Sequence, residues 1–207
     1  MMITRLKRIE ISLLCGLLAA AVLSVGVFAH QADGIKEQVL RLHVLANSND
    51  EADQALKLKV RDRIVAQTGG LFDTTQNKEQ AIDALQKQLP YIKMVAKDEI
   101  EKNGFSYDVQ VEICNMYFNT REYDTVTMPA GDYDALRVTI GAGKGHNWWC
   151  VIFPPMCLPA ASESEKLEDV LNEEQLGIVE NKPKYEVKFK SLEIIEEVKH
   201  AVASWIS

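Results

Sequence analysis

"VLRLHVLANSNDEADQALKLKVRDRIV", residues Val39 to Val65, changes its periodicity halfway along. Leu40, Leu42, Val44 and Ala46 alternate with Arg41 and His43, the pattern of a half-buried β-strand with a polar outer face. Asn-Ser-Asn-Asp stops the strand. Asn49 and Asp50 are helix N-cap candidates, and Glu51 and Asp53 suit the positive end of a helix dipole. Leu56, Val60 and Ile64 then recur every fourth residue, with Lys57, Lys59, Arg61 and Arg63 around the remaining surface. Gly69-Gly70 closes that helix. A strand running straight into an amphipathic helix is the seed from which the rest is read.

A second helical region spans about 77–103, on a stripe of Ile82, Leu85, Leu89, Ile92, Ala96 and Ile100. Pro90 is expected to kink or split it, and Asn103-Gly104 ends it. The chain then turns to β-structure. "YDVQVEI" alternates on Val109, Val111 and Ile113, and "ALRVTI" on Leu136, Val138 and Ile140. "REYDTVTM" reads as a further strand between them, "PAGDYD" as a turn, and "WWCVIF" as a short apolar strand stopped by Pro154-Pro155. "ASESEKLEDVLNEEQ" reads as a mobile acidic surface segment with room for one short helix. "YEVKFKS" reads as a strand, and "LEIIEEVKHAVASWI" as an amphipathic helix on Leu192, Ile195, Val198, Val202 and Trp205. Grouped rather than alternating elements give an α+β class: a small, mainly antiparallel sheet packed by several helices.

The N-terminus poses a separate question. Arg5, Lys7 and Arg8 precede a run without charge from Ile11 to Ala29. A basic stub before such a run is an export signal or a membrane anchor. Val27 and Ala29 offer small residues for cleavage before His30, and with basic residues leading, the remainder should lie outside the cytoplasm. If the segment is retained, membrane contact is expected only through residues 1–29. Cys15 follows Leu14, where lipidation would need a small residue, so it reads as an apolar residue of the span. The organisation is then an export or anchor helix (1–29), an α+β domain (30–159), an acidic segment (160–183), and a C-terminal strand and helix (184–207). Without residues 1–29 the chain holds 20 basic and 29 acidic side chains, a net charge of −9. That argues against nucleic acid or an anionic membrane surface as the main partner.

"GAGKGHNWWCVIFPPMC", from Gly141 to Cys157, gathers the residues that invite a chemical reading. Gly141, Gly143 and Gly145 lack the Gly-Lys-Ser/Thr and the following helix of a phosphate loop, so they read as a tight turn needing positive φ. His146 and Cys150 could form a base and thiolate pair, but a thiol inside an apolar strand is poorly activated. Cys150 and Cys157 flank the Pro154-Pro155 bend, which leaves a disulfide or two buried thiols open. A zinc site would lack a fourth ligand. Asp132 and Asp134 carry no mark of an acid and base pair. No metal or cofactor is implied. Trp148 and Trp149 point to opposite faces of a strand, and an exposed aromatic beside a rigid turn is a common anchor for a protein partner.

Taken together, "RLHVLANSNDEADQALKLKVRDRIV" and "PAGDYDALRVTIGAGKGHNWWCVIFPPMC" resemble the stage II sporulation protein R family of endospore-forming bacteria, over roughly Val39 to Pro159. The resemblance implies a signalling protein rather than an enzyme. Such a protein is exported from the forespore into the intermembrane space. There it triggers a membrane-embedded aspartic protease of the mother cell, which processes a sigma-factor precursor. On this reading His146, Asn147, Trp148 and Trp149 are the expected partner contacts, with Asn47 and Asn49 as further candidates. Gly141, Gly143, Pro154 and Pro155 would hold the loop. The rival readings are an exported hydrolase using Cys150 and His146, and a cell-wall-binding module.

Overall fold

A computed structural model describes residues 2–72, 75–123, 126–157, 167 and 170–206. The elements in chain order are helix α1 (Met2–Gln38), strand β1 (Leu40–Leu45), helices α2 (Glu51–Thr68) and α3 (Lys78–Lys102), and strand β2 (Val109–Phe118). A hairpin of β3 (Arg121–Glu122) and β4 (Thr127–Met128) follows, then β5 (Gly131–Ile140), β6 (Asn147–Phe153), α4 (Glu173–Glu180) and α5 (Lys182–Ile206). The main sheet has the order β2-β5-β1-β6. β5 pairs antiparallel with β2, β6 antiparallel with β1, and β1 parallel with β5. The α+β class and the mainly antiparallel sheet are as the periodicity predicts.

The period-2 alternation sorts side chains onto two faces. Leu40, Leu42, Val44, Leu136, Val138, Ile140, Cys150 and Ile152 join the inner sides of α2 and α3 in one core. α3 begins at Asn77, whose side chain accepts from the Gln80 N–H at 3.0 Å, and it runs unbroken through Pro90. Asn103 and Gly104, the latter at φ 83°, close it.

The other face differs from expectation. β1 is buried along its whole length, with Arg41 at 0% and His43 at 3% exposure. A second layer covers it, made from the end of α1, the β3–β4 hairpin, α4 and α5. Arg41 lies 4.4 Å from the Phe118 ring centroid and 4.9 Å from that of Tyr133, and donates to the Tyr123 hydroxyl at 2.7 Å. A buried guanidinium is held here by aromatic faces. His43 stacks on Trp149, ring centroids 3.9 Å apart.

Four local readings are corrected. "YEVKFKS" lies inside α5, not in a strand. α5 buries Phe189, Leu192 and Glu196, whereas Ile195, Val198, Val202 and Trp205 lie outside, Trp205 at 93% exposure. "REYDTVTM" supplies the β3–β4 hairpin rather than one strand, with residues 124 and 125 outside the described chain. "PAGDYD" enters β5 at Gly131, so Asp132 and Asp134 are strand residues. Most of the acidic segment also lies outside the described residues. Its last part is α4, capped reciprocally by Asn172 and Gln175.

Burial lowers the pKa of His43 to about 4, the positive charge of Arg137 acting in the same direction. Asn147 opposes burial and outweighs Arg137, although neither ring nitrogen has a partner of hydrogen-bond geometry. Above pH 6.5 both folded and unfolded chains carry neutral His43, and between pH 6.5 and about 4 only the unfolded chain takes up the proton. Stability therefore falls with pH through that window, by about 3 kcal/mol at its acid end. His43→Phe keeps the stack and removes the titration. Urea unfolding near pH 7 and near pH 4 should show a smaller acid loss in the variant; an equal loss would refute this assignment.

Candidate functional site

β1 lies between β5 and β6, so the chain leaving β5 must pass over the end of β1 to reach β6. It does so in six residues, Gly141 to His146. Two neighbouring strands separated by a third stand about 9.5 Å apart, which leaves little slack. The crossing explains the glycines. Gly141 and Gly143 adopt φ 57° and 61°. A Cβ on Gly141 would overlap the Asn47 side chain, and one on Gly145 would overlap the Ser48 carbonyl. Gly145 N–H donates to Ala46 C=O at 2.9 Å and Lys144 N–H to Asn47 C=O at 3.1 Å, tying the loop to the end of β1.

Asn47 and Asn49 complete the clamp from below. Asn47 Oδ1 accepts from Ala142 N–H at 2.9 Å, and its Nδ2 donates to Asp53 at 2.8 Å. Asn49 Oδ1 accepts from His146 N–H at 2.7 Å. The capping role expected for Asn49 and Asp50 is not taken by side chains: Asp50 stands at the N-cap without a side-chain cap bond. Lys57 Nζ donates to His146 C=O at 3.0 Å and to Gln54 Oε1 at 2.7 Å, and Gln54 Nε2 donates to Ser48 C=O at 2.8 Å. Burial raises the pKa of Asp53, but hydrogen bonds from Asn47, Ser48 and Tyr107 outweigh it and leave the carboxyl below its usual range. Burial, with Arg61 nearby, lowers that of Lys57.

This arrangement presents Lys144, His146 and Asn147 to solvent on a braced loop. Trp148 and Trp149 are both half-buried and part to opposite faces. Trp148 packs on the α2–α3 core under the Arg61 guanidinium, 4.0 Å from its ring centroid. Trp149 joins the other core between His43 and Phe118, with Arg121 at 5.3 Å. Beyond β6, Cys150 is bonded to Cys157 across the turn that holds Pro154 and Pro155. Bonded and 3% exposed, Cys150 offers no thiolate, so the hydrolase reading loses its nucleophile. Among the described residues, no group of three His, Cys, Asp or Glu is placed to hold a metal ion.

Sequence reasoning gave Asp53 to the helix dipole and Lys57 to the outer surface and passed over Gln54 and Tyr107; Asp53 and Lys57 are buried, and the four brace the loop from α2 and the β2 approach. Their signal is visible only once the crossing is known. A polar cleft of about 320 Å³ beside β5 is a weaker candidate, because Lys78 pairs with Asp134 at 2.8 Å and Lys36 with Asp33 at 2.7 Å.

Fold and loop together define a small α+β domain on an apolar N-terminal helix, carrying a clamped loop and a disulfide-stapled turn. The model of the stage II sporulation protein R family matches residues 36–163, more than half the chain, and the chain belongs to that family. It is 36% identical over 135 residues to stage II sporulation protein R of Bacillus subtilis (strain 168), a match covering 65% of this chain and 60% of that protein. The chain thus matches less than two thirds of that relative's length. No solved structure matches it. Membership places the chain among sporulation proteins.

Three substitutions test the clamp. Gly145→Ala should lower the unfolding midpoint of the full chain in mild detergent by roughly 4–8 °C, for about 2 kcal/mol. Asn47→Ala strips a buried carboxylate of a donor and should cost about 1–3 kcal/mol, while Asn49→Ala should cost about 1 kcal/mol or less. An Asn49 variant as damaged as the Gly145 variant would contradict this ranking.

Proposed function

We propose that the domain is an exported sporulation signal that activates a membrane-embedded aspartic protease of the mother cell, leading to processing of a sigma-factor precursor. The observation that carries the reading is the braced β5–β6 loop, which holds His146 and Asn147 outward next to half-buried Trp148 and Trp149. A loop pinned by Asn47, Asn49 and Lys57 loses little conformational entropy on binding, so its contacts convert efficiently to affinity. The likeness to stage II sporulation protein R and the apolar N-terminal helix support the same reading.

The mechanism is linkage. The domain has a higher affinity for the active arrangement of the protease than for the inactive one, and it shifts the equilibrium by that difference alone. His146, Asn147, Trp148 and Trp149 are the contacts, and Gly141, Gly143, Pro154 and Pro155 keep the loop in shape. Asn47 and Asn49 contribute from beneath.

The test is reconstitution in a non-sporulating host carrying this chain, the protease and the sigma-factor precursor, with the precursor followed by immunoblot. Processing should require this chain. It should fall about tenfold for the combined His146→Ala and Asn147→Ala variant at matched protein level. It should survive Cys150→Ser at matched level, since the cysteine has no chemical role. Processing untouched by the loop variant would move the contact face elsewhere on the domain. Absence of processing with all three proteins present and this one exported would reject the activator reading.

A further inference from the structure

The membrane-crossing part of α1 and the folded domain share one uninterrupted helix. Leu13, Leu17, Leu23 and Val27 are exposed apolar residues, and the next residue, Phe28, is 2% exposed. Phe28, Ala32 and Ile35 follow at i, i+4 and i+7 and face the second core. The Phe28 ring centroid lies 5.8 Å from that of Tyr185 and 5.2 Å from that of Phe189, both on α5. The bond expected to be cut, Ala29–His30, therefore lies inside a helix whose preceding residue is core. Cleavage there would leave Tyr185 and Phe189 around a hole. The uncharged run from Ile11 to Val27 covers about 26 Å at the helical rise, close to the thickness of a hydrocarbon core.

The start of α5 departs from the charge of the rest of the chain. "KPKYEVKFK", Lys182 to Lys190, holds four lysines and one glutamate in a protein of net charge −7. Lys184 Nζ is 5.2 Å from the Tyr185 ring centroid, and Lys188 Nζ is 5.4 Å from Tyr185 and 6.0 Å from Phe28. Lys190 of this stretch pairs with Glu193 at 3.4 Å, and Glu122 and Glu186 lie on the same side as Phe189. Glu174 accepts from Gln31 of α1 at 2.7 Å, which leaves Lys184 and Lys188 as the lysines beside Tyr185. Tyrosine and lysine beside an emerging apolar helix are the side chains that suit the headgroup layer, where rings lie at the interface and ammonium groups meet phosphates.

We propose that α1 is kept on the finished protein, and that Lys184, Tyr185 and Lys188 at the start of α5 rest on the anionic phospholipid headgroups of the membrane that α1 spans. The domain is then a signal held at the membrane surface, not a diffusible one. This departs from the expectation that the mature part avoids anionic lipid: the overall charge is negative, but Lys184 and Lys188 flank Tyr185 where α5 meets Phe28. The inference stands apart from the activator reading, and neither measurement below involves the protease.

The first measurement is the intact mass of the full chain, carrying a C-terminal epitope and exported in a bacterial host, after alkaline washing of the membranes. The full-length chain in the membrane pellet is the expected result. A soluble species beginning at His30, or anywhere within α1, would overturn it. The second uses the full chain in vesicles, with Cys15→Ala and Cys114→Ala, and a fluorophore on Glu186→Cys or on Lys87→Cys. Lys87 is exposed on α3, across the sheet. Headgroup-labelled nitroxide lipid should quench the label at 186 roughly threefold more than that at 87, and more in mixed phosphatidylcholine and phosphatidylglycerol than in phosphatidylcholine alone. Equal quenching at the two positions would refute docking, and equal quenching in the two vesicles would refute the anionic requirement.

Discussion

Placing β1 between β5 and β6 obliges six residues to bridge two strands over the end of a third. Much else follows from that crossing. There is no room for a side chain at Gly145, and the turn needs positive φ at Gly141 and Gly143. The carbonyls of Ala46, Asn47 and Ser48 point into the crossing and are all satisfied, by Gly145, Lys144 and Gln54. Because buried backbone groups must find partners, the loop and the strand end form one unit. The start of α2 is drawn in through Asp53 and Lys57, so the loop is fastened to both the strand and the helix.

The strand beneath the loop has a second support on its far face. β1 carries Arg41 and His43 into a core closed by the N-terminal and C-terminal helices, which are far apart in sequence and adjacent in space. Trp149 links the two regions, because it leaves the clamped loop on β6 and stacks directly on His43. The outer side of α5, with Ile194, Val198, Val202 and Trp205 exposed, is left without a partner among the described residues.

Several misreadings share one physical origin. "YEVKFKS" alternates on Tyr185, Val187 and Phe189 and so satisfies the strand pattern. The same residues also give Tyr185, Phe189, Leu192 and Glu196 at helical spacing, and contact with Phe28 settles the choice. Val187, which a strand would have buried, is 79% exposed. The capping expected of Asn49 and Asp50 was sound locally, but Asn49 finds the His146 N–H, ninety-seven residues away, before any helix end.

By itself the sequence determined the periodic parts: β1, α2, α3, β2, the body of β5 and β6, the apolar N-terminal run and the cores of α2 and α3. Those depend on neighbours within a few residues, where side-chain spacing and backbone geometry are directly coupled. The glycine-rich turn was legible as a turn, and the cysteines as a pair that could bond. Only the tertiary structure decided that the polar side of β1 is buried, that Asn47 and Asn49 hold a loop, and that Phe28 belongs to the domain. Each of these rests on contacts between segments distant in the chain, and periodicity carries no information about which distant surface will cover a given face.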